Sequence, residues 1–391
     1  MQVSERAVAP FDVPLTQLRT RTSEKWRRYP PDVLPLFVAE MDVVPAQAVV
    51  RAVSDALTSG DTGYESGNGY AEAFAGFAGE RWGWDVDPGT ARLVPDVMQG
   101  IVHVLELLTE PGDAVVIAPP VYPPFRIFVE HSGRRIVTAP LAPTGRLDLA
   151  ALDRAFGQAK AGGRHAVFLL CQPHNPTGVL HTADELAALG ELAADWRVRV
   201  VADEIHAALV PARADGTRPP FVPTTTVIPD AIALHSGSKA FNLAGLKAAV
   251  AVPGPEAAAQ LAMLPRLVTD GVSHVASLAH QAAFRDGGPW LDQLLTALAG
   301  NVELVGRLLA ERLPTVRSTP PEATYLAWLD FRAAGVPDGV APAAHLLEKA
   351  RVALVDGRSF GVEGTGFARL NLAASRPVLD EALDRIADAL T

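Results

Sequence analysis

The stretch AIALHSGSKAFNLAGLK, residues 231–247, decides how the rest of the chain is read. Its apolar start, Ala231 to His235, reads as the end of a strand. The twelve positions that follow, Ser236 to Lys247, hold two serines, two lysines and several small residues. Small neighbours on both sides of Lys239, and an apolar run after it, let its amine lie on the floor of a cleft. A buried lysine loses proton affinity and becomes a usable nucleophile. The same residues also suit a surface lysine in a Ser/Gly turn, because lysine is mostly exposed. The other segments decide between the two.

The same strand-then-loop logic recurs through the chain. ARLVP (91–95) leads into DVMQGIVHVLELL (96–108), a strand, turn and helix. PGDAVVIAPPVYPPF (111–125) reads as a turn, a buried strand over Ala114 to Ala118 and a Pro-rich loop. RHAVFLLCQPHNPTG (164–178) repeats it with a strand over Ala166 to Cys171. VRVVADEIH (198–206) and KAAVAVPG (247–254) add two more strands, and Leu186 to Trp196 is an amphipathic helix. Continuous apolar runs, in place of strict alternation, mark strands covered on both faces by helices. The pattern predicts an α/β fold with a doubly wound, mostly parallel sheet. Residues 1–45 read as an arm belonging to a smaller domain, 46–285 as the large domain and 286–391 as a C-terminal α+β domain. In the latter, YLAWLDF (325–331) and RLNLA (369–373) are strand-like, with helices near 341–350 and 378–390.

Composition narrows the classes. The chain has 391 residues, 49% of them hydrophobic and 20% charged, which is the balance of a globular protein. A net charge of −10 with only short basic runs speaks against nucleic acid as a partner. No apolar stretch is long enough for a membrane helix. The N-terminus carries charges and prolines where a signal peptide has an apolar core. The single Cys171 excludes an internal disulfide, which points to the cytoplasm. No metal-ligand pattern stands out.

Ligands of open α/β sheets bind beyond the carboxyl ends of the strands, and the unusual residues of this chain collect there. Asp203 is either a helix cap or the partner of a protonated ring nitrogen. Asn175, in PHNPTG, is either a turn residue or an amide donor to a ligand. Tyr122 is either an interface aromatic or a platform for a flat ring. Arg369 is either half of a structural salt bridge or a carboxylate clamp. The helix start at Val97–Gly100 offers free N–H groups to a phosphate. Taken together, these groups are what pyridoxal phosphate (PLP) needs: an amine for a Schiff base and an acid for the pyridine nitrogen.

The motifs NPTG (175–178), DEIH (203–206) and SGSKAFNLAGLK (236–247) appear in that order; Asp203 follows Asn175 by 28 positions, and Lys239 follows Asp203 by 36. On them the chain resembles the PLP-dependent fold-type I aminotransferase class I/II superfamily over about residues 30 to 390. KWRRYPPDVLPLFVAEMD (25–42) and TEPGDAVVIAPPVYPPF (109–125) make it most similar to the MalY/PatB-type cystathionine β-lyases, or cysteine C–S lyases. The resemblance implies that Lys239 binds PLP covalently and acts as the catalytic base. It implies that Asp203 pairs with the ring nitrogen, that Tyr122 stacks on the ring and that Asn175 and His206 lie at its hydroxyl. Ser236, Ser238 and Lys247, with the backbone at Val97 and Met98, would hold the phosphate. Tyr64 would reach the phosphate of a neighbouring subunit, hence a homodimer with shared sites. Arg369 and Asn175 would hold the substrate α-carboxylate, with the backbone at Ala39 close by. The implied reaction is α,β-elimination of cystathionine or an S-substituted cysteine to a thiol, pyruvate and ammonia. An aminotransferase acting on an α-amino acid shares every one of these residues and is the alternative. Two departures from the lyase pattern stand out. Asp96 occupies the phosphate turn where a glycine is expected. Val43 replaces an aromatic in the arm, with an expected effect on the substrate pocket.

Overall fold

Residues 10–391 are described by a computed structural model; the first nine residues of the expected arm lie outside the described residues. The central sheet has seven strands: β1 (Arg92–Val94), β2 (Ala114–Ile117), β3 (Arg135–Thr138), β4 (Ala166–Cys171), β5 (Arg199–Asp203), β6 (Ile232–His235) and β7 (Ala249–Pro253). Their spatial order is β1-β7-β6-β5-β4-β2-β3. Strands β6, β5, β4, β2 and β3 run parallel, while β7 is antiparallel to both its neighbours.

Strand β4 shows why its sequence is a continuous apolar run. Side chains alternate across a strand, and both faces here are covered. Val167, Leu169 and Cys171 pack with Ile101 and Val104 of the Val97–Leu108 helix on one face. Phe168 and Leu170 pack on the other with Leu152 and Phe156 of the Leu149–Lys160 helix. The first helix sits hard against the sheet because position 100 is glycine: a Cβ there would lie 2.6 Å from Leu234 and 2.7 Å from Val94. The alternation also sorts the acids that end β5. Asp203 follows Val201 onto the face of the Val97–Leu108 helix. Glu204 turns the other way, accepting from the Thr224 backbone N–H at 2.8 Å and lying 2.9 Å from the buried His235.

A second, four-stranded antiparallel sheet contains Arg317–Ser318, Leu326–Asp330, Val355–Asp356 and Phe367–Asn371. The 25-residue helix Gly288–Arg312 connects the two cores, with Leu291, Leu294 and Leu298 in one and Val305, Leu308 and Leu309 in the other. The arm lies across both. Leu34–Pro35 pairs in parallel with Val352–Ala353, and the Met41 N–H donates to Asn242 at 2.8 Å. Within the arm, Lys25 and Asp42 form a fully buried ion pair at 2.8 Å, with Lys25 also donating to the Glu40 carbonyl.

The Pro-rich loop expected at PPVYPPF is present over Pro119–Tyr122, while its last three residues, Pro123–Phe125, open the helix Pro123–His131. Proline is at home in a first turn, where its missing N–H has no partner to lose. The helices His274–Asp286 and Gly288–Arg312 are separated by Gly287.

Candidate active site

A cavity of about 540 Å³ opens beyond the carboxyl ends of β4, β5 and β6. Lys239 reaches it because β6 is followed at once by Ser236, whose hydroxyl accepts from the Ser238 N–H and donates to the Ala248 carbonyl. That cap starts the one-turn helix Gly237–Ala240 and fixes where the lysine leaves the backbone. Its Nζ donates to the Ala39 carbonyl of the arm at 3.0 Å. The Tyr325 hydroxyl donates to the same carbonyl at 2.9 Å. Burial, and then the nearby Arg369 cation, pull the Lys239 ammonium down to about 8. Asp203, buried and accepting the Ile205 N–H at 3.1 Å, is pushed up to about 7, mainly by burial. The attraction between Lys239 and Asp203 opposes both shifts; burial outweighs it in each case. The cavity therefore holds an acid and an amine that both change charge near neutral pH, an arrangement that marks reactive sites.

Arg369 enters from the second sheet, where it faces Trp328 across the strand pair. Its Nη1 donates to Asn175 Oδ1 at 2.9 Å and its Nη2 to the Phe37 carbonyl at 3.0 Å. Its Nε is buried and has no hydrogen-bond partner among the described residues. Burial lowers the guanidinium to about 10, which leaves it cationic at neutral pH. His206 is held well below its ordinary value by burial, then by Lys239 and Arg369, and its buried Nδ1 is likewise without a partner among the described residues. Tyr122 is pushed up to about 12, chiefly by burial.

The cavity brings together Lys239, Asp203, His206, Asn175, Tyr122, Arg369, Ala39, Ser236, Ser238, Lys247, Val97 and Met98. Tyr64 is not among them: it stands on a surface loop, 95% exposed. Val43 also lies elsewhere. It is buried in the core with Met41 and Ala46, so the expected reshaping of the substrate pocket by this side chain is not seen. Its carbonyl accepts from Arg21 at 2.8 Å. Asp96, the other departure, caps the Val97–Leu108 helix by accepting the Gln99 N–H through Oδ1, while Oδ2 takes Lys247 at 2.9 Å. A capping role accounts for a carboxylate in a phosphate turn. Sequence reasoning missed Tyr325, the Phe37 carbonyl and Cys171, which lies beside Asp203 on the neighbouring strand. Tyr325 sits in an otherwise ordinary strand motif, and nothing local marks its contact with Ala39. Among the described residues no three His, Cys, Asp or Glu side chains gather as metal ligands.

The family model for aminotransferase class I and II matches residues 31–386. The chain belongs to this family. It is 48% identical to a Mycobacterium leprae protein provisionally named a cystathionine beta-lyase, with 96% of each chain covered. It is 36% identical to the cystathionine beta-lyase PatB of Bacillus subtilis, over 92% of this chain and 93% of that one. Among solved structures, a protein of Corynebacterium diphtheriae provisionally described as a PLP-dependent beta-cystathionase superposes with a TM-score of 0.88 at 34% identity, covering 97% and 98% of the two chains.

The residues present fit PLP. At one end a buried carboxylate, Asp203, suits a protonated ring nitrogen. At the other, the first turn of a twelve-residue helix, Ser238 and Lys247 suit a dianion. Between them lie the Lys239 amine and the Tyr122 ring.

Two outcomes are expected. Below about pH 8 the Lys239 amine is protonated and has no lone pair, so capture of PLP by the cofactor-free protein should speed up with pH, with a midpoint near 8. Arg369→Leu removes a cation that disfavours the ammonium and should move that midpoint upward; stopped-flow absorbance in the visible region measures both. Asp96→Asn keeps a capping side chain but removes a negative charge beside the phosphate site and frees Lys247. PLP should bind the variant several-fold more tightly in equilibrium titration, and weaker binding would contradict the placement of the phosphate.

Proposed function

We propose that this chain is a PLP-dependent C–S β-lyase that converts cystathionine or an S-substituted cysteine, with water, to a thiol, pyruvate and ammonia. The observation that carries the reading is the joining of Lys239, Asp203 and Arg369 in one cavity, in a chain alike over nearly its whole length to proteins named cystathionine beta-lyases. Bound PLP supplies an electron sink for the bond electrons left on Cα when its proton departs.

The protein's own groups then have separate tasks. Arg369, with a free Nε and two anchored Nη atoms, presents a fixed cation to the substrate α-carboxylate. Asn175 steadies that guanidinium. Asp203, ionised beside a cation, holds the ring nitrogen protonated. Lys239, tuned near neutrality, takes the Cα proton. The C–S bond then breaks, the sulfur leaves with the bonding pair and takes a proton, and water releases ammonia from the remaining three-carbon fragment. His206, kept neutral, supplies hydrogen bonding without adding charge.

We also read the chain as a homodimer in which Tyr64 completes the partner's phosphate site. The reading is supported by the near-full exposure of Tyr64 and of Leu267, whose helix Arg266–Thr269 packs on the strand leading to Asp96. The division at residues 45 and 285 into arm, large and small domains belongs to the same reading, as does a cytoplasmic location for a chain whose single cysteine is a free thiol.

Incubated with cystathionine and no keto acid, the PLP-loaded protein should release thiol and pyruvate in equal amounts. Turnover that begins only on adding a keto acid would instead identify an aminotransferase. Lys239→Ala should lose both the activity and the visible absorbance of the bound cofactor. For the shared site, inactive Lys239→Ala and impaired Tyr64→Phe proteins should regain activity when unfolded and refolded together. No recovery despite mixed dimers would place Tyr64 outside the partner's site.

A further inference from the structure

The cavity extends past the reacting groups to an acid–base pair that the reaction itself does not use. Glu24 and Arg28 line it together with Lys239 and Arg369. They lie four residues apart, 2.8 Å from each other, and more than half of each side chain is exposed. Such a pair on an open helix is ordinary and contributes little to stability. Three observations set this one apart.

Its mount is rigid. Lys25, between the two, turns inward to the fully buried contact with Asp42, so the segment cannot roll and its outer face is fixed towards the cavity. Arg28 is also pre-placed, its guanidinium 5.9 Å from both the Tyr29 and Phe37 rings. Most important, Phe37 links the two arginines: its carbonyl accepts from Arg369 and its ring carries Arg28. One residue therefore separates the guanidinium suited to the α-carboxylate from a second guanidinium with a carboxylate beside it. The neighbouring wall, Pro124, Phe128 and Val355, is apolar and matches methylene and sulfur groups.

We propose that Glu24 and Arg28 form a distal subsite for the second amino-acid end of a thioether substrate. Arg28 takes the far carboxylate and Glu24 the far ammonium, each exchanging its partner across the helix for one on the ligand. The preferred substrate class is thus a thioether with an amino-acid group at both ends, such as cystathionine, over an S-alkyl cysteine that lacks the second. The proposal rests on the lyase reading above. Arg28 already rests against the Tyr29 and Phe37 rings, which lessens the ordering that opposes binding.

The test compares cystathionine with S-methylcysteine on the PLP-loaded wild type, Arg28→Met and Glu24→Gln, with the charge-swapped Glu24→Arg/Arg28→Glu double variant as a control for local folding. Each single variant should lower kcat/KM for cystathionine about tenfold, through KM, a loss of one charge-assisted contact. S-methylcysteine should stay within about twofold of wild type, since it reaches neither residue. The swap should regain part of the cystathionine preference. Equal losses on both substrates, or none on either, would overturn the subsite. If the wild type releases no pyruvate from either compound, the lyase reading fails. The subsite is then judged by binding, read from the shift each compound causes in the visible spectrum of the PLP-loaded protein. Selective weakening of cystathionine in the variants upholds it, and equal or absent weakening rejects it.

Discussion

Shielding the half-buried Lys239 amine from bulk water is the constraint on which the rest of this structure depends. Burial lowers its proton affinity to about 8, and the same enclosure raises Asp203 to about 7. Neither group is tuned by its nearest opposite charge, which pulls each the other way. The protein sustains this by placing the pair between two sheets and closing the third side with the arm, whose Ala39 carbonyl receives Lys239 and Tyr325. A more open site would let water restore both groups to their ordinary values.

The parallel sheet supplies the positions. Strands β4, β5 and β6 end on one edge, and each contributes its chemistry at or a few residues past its end: Asn175, Asp203 and Lys239. Strand alternation then decides what each acid does, so that adjacent Asp203 and Glu204 serve different ends, one in the cavity and one tying His235 and Thr224 into the core. Arg369 is brought from another sheet altogether. The clamp and the base thus come from separate sheets, and their spacing is set by how those sheets pack as well as by the local chain.

Much of this was legible in the sequence. The apolar runs 166–171 and 198–202 announced strands buried on both faces, and small residues around Lys239 announced a turn. The order of the motifs along the chain points to most of the residues that the cavity gathers. What stayed hidden has physical reasons. Edge strand β3 (Arg135–Thr138) buries only part of its surface and carries no continuous apolar signal. Pro123 and Pro124 look like breakers until they are seen in a first turn. Tyr325 and the Phe37 carbonyl matter through contacts nearly three hundred residues or more apart, which local pattern does not encode. Asp96 and Val43 show the limit of comparing single positions: one became a cap and counter-ion, the other a core residue.

The arm has a consequence for how the molecule comes into being. Its anchors are Asn242, Ala353, Asn371 and Ala373, so the segment made among the first can dock only after the segments made among the last have left the ribosome. Closing such long loops is slow compared with local folding. The large sheet can collapse earlier, but the carbonyl that receives Lys239 arrives late. During synthesis the amine therefore passes through an interval in which it is wetter, more strongly protonated and less reactive. The chain acquires its chemistry only when its two ends meet.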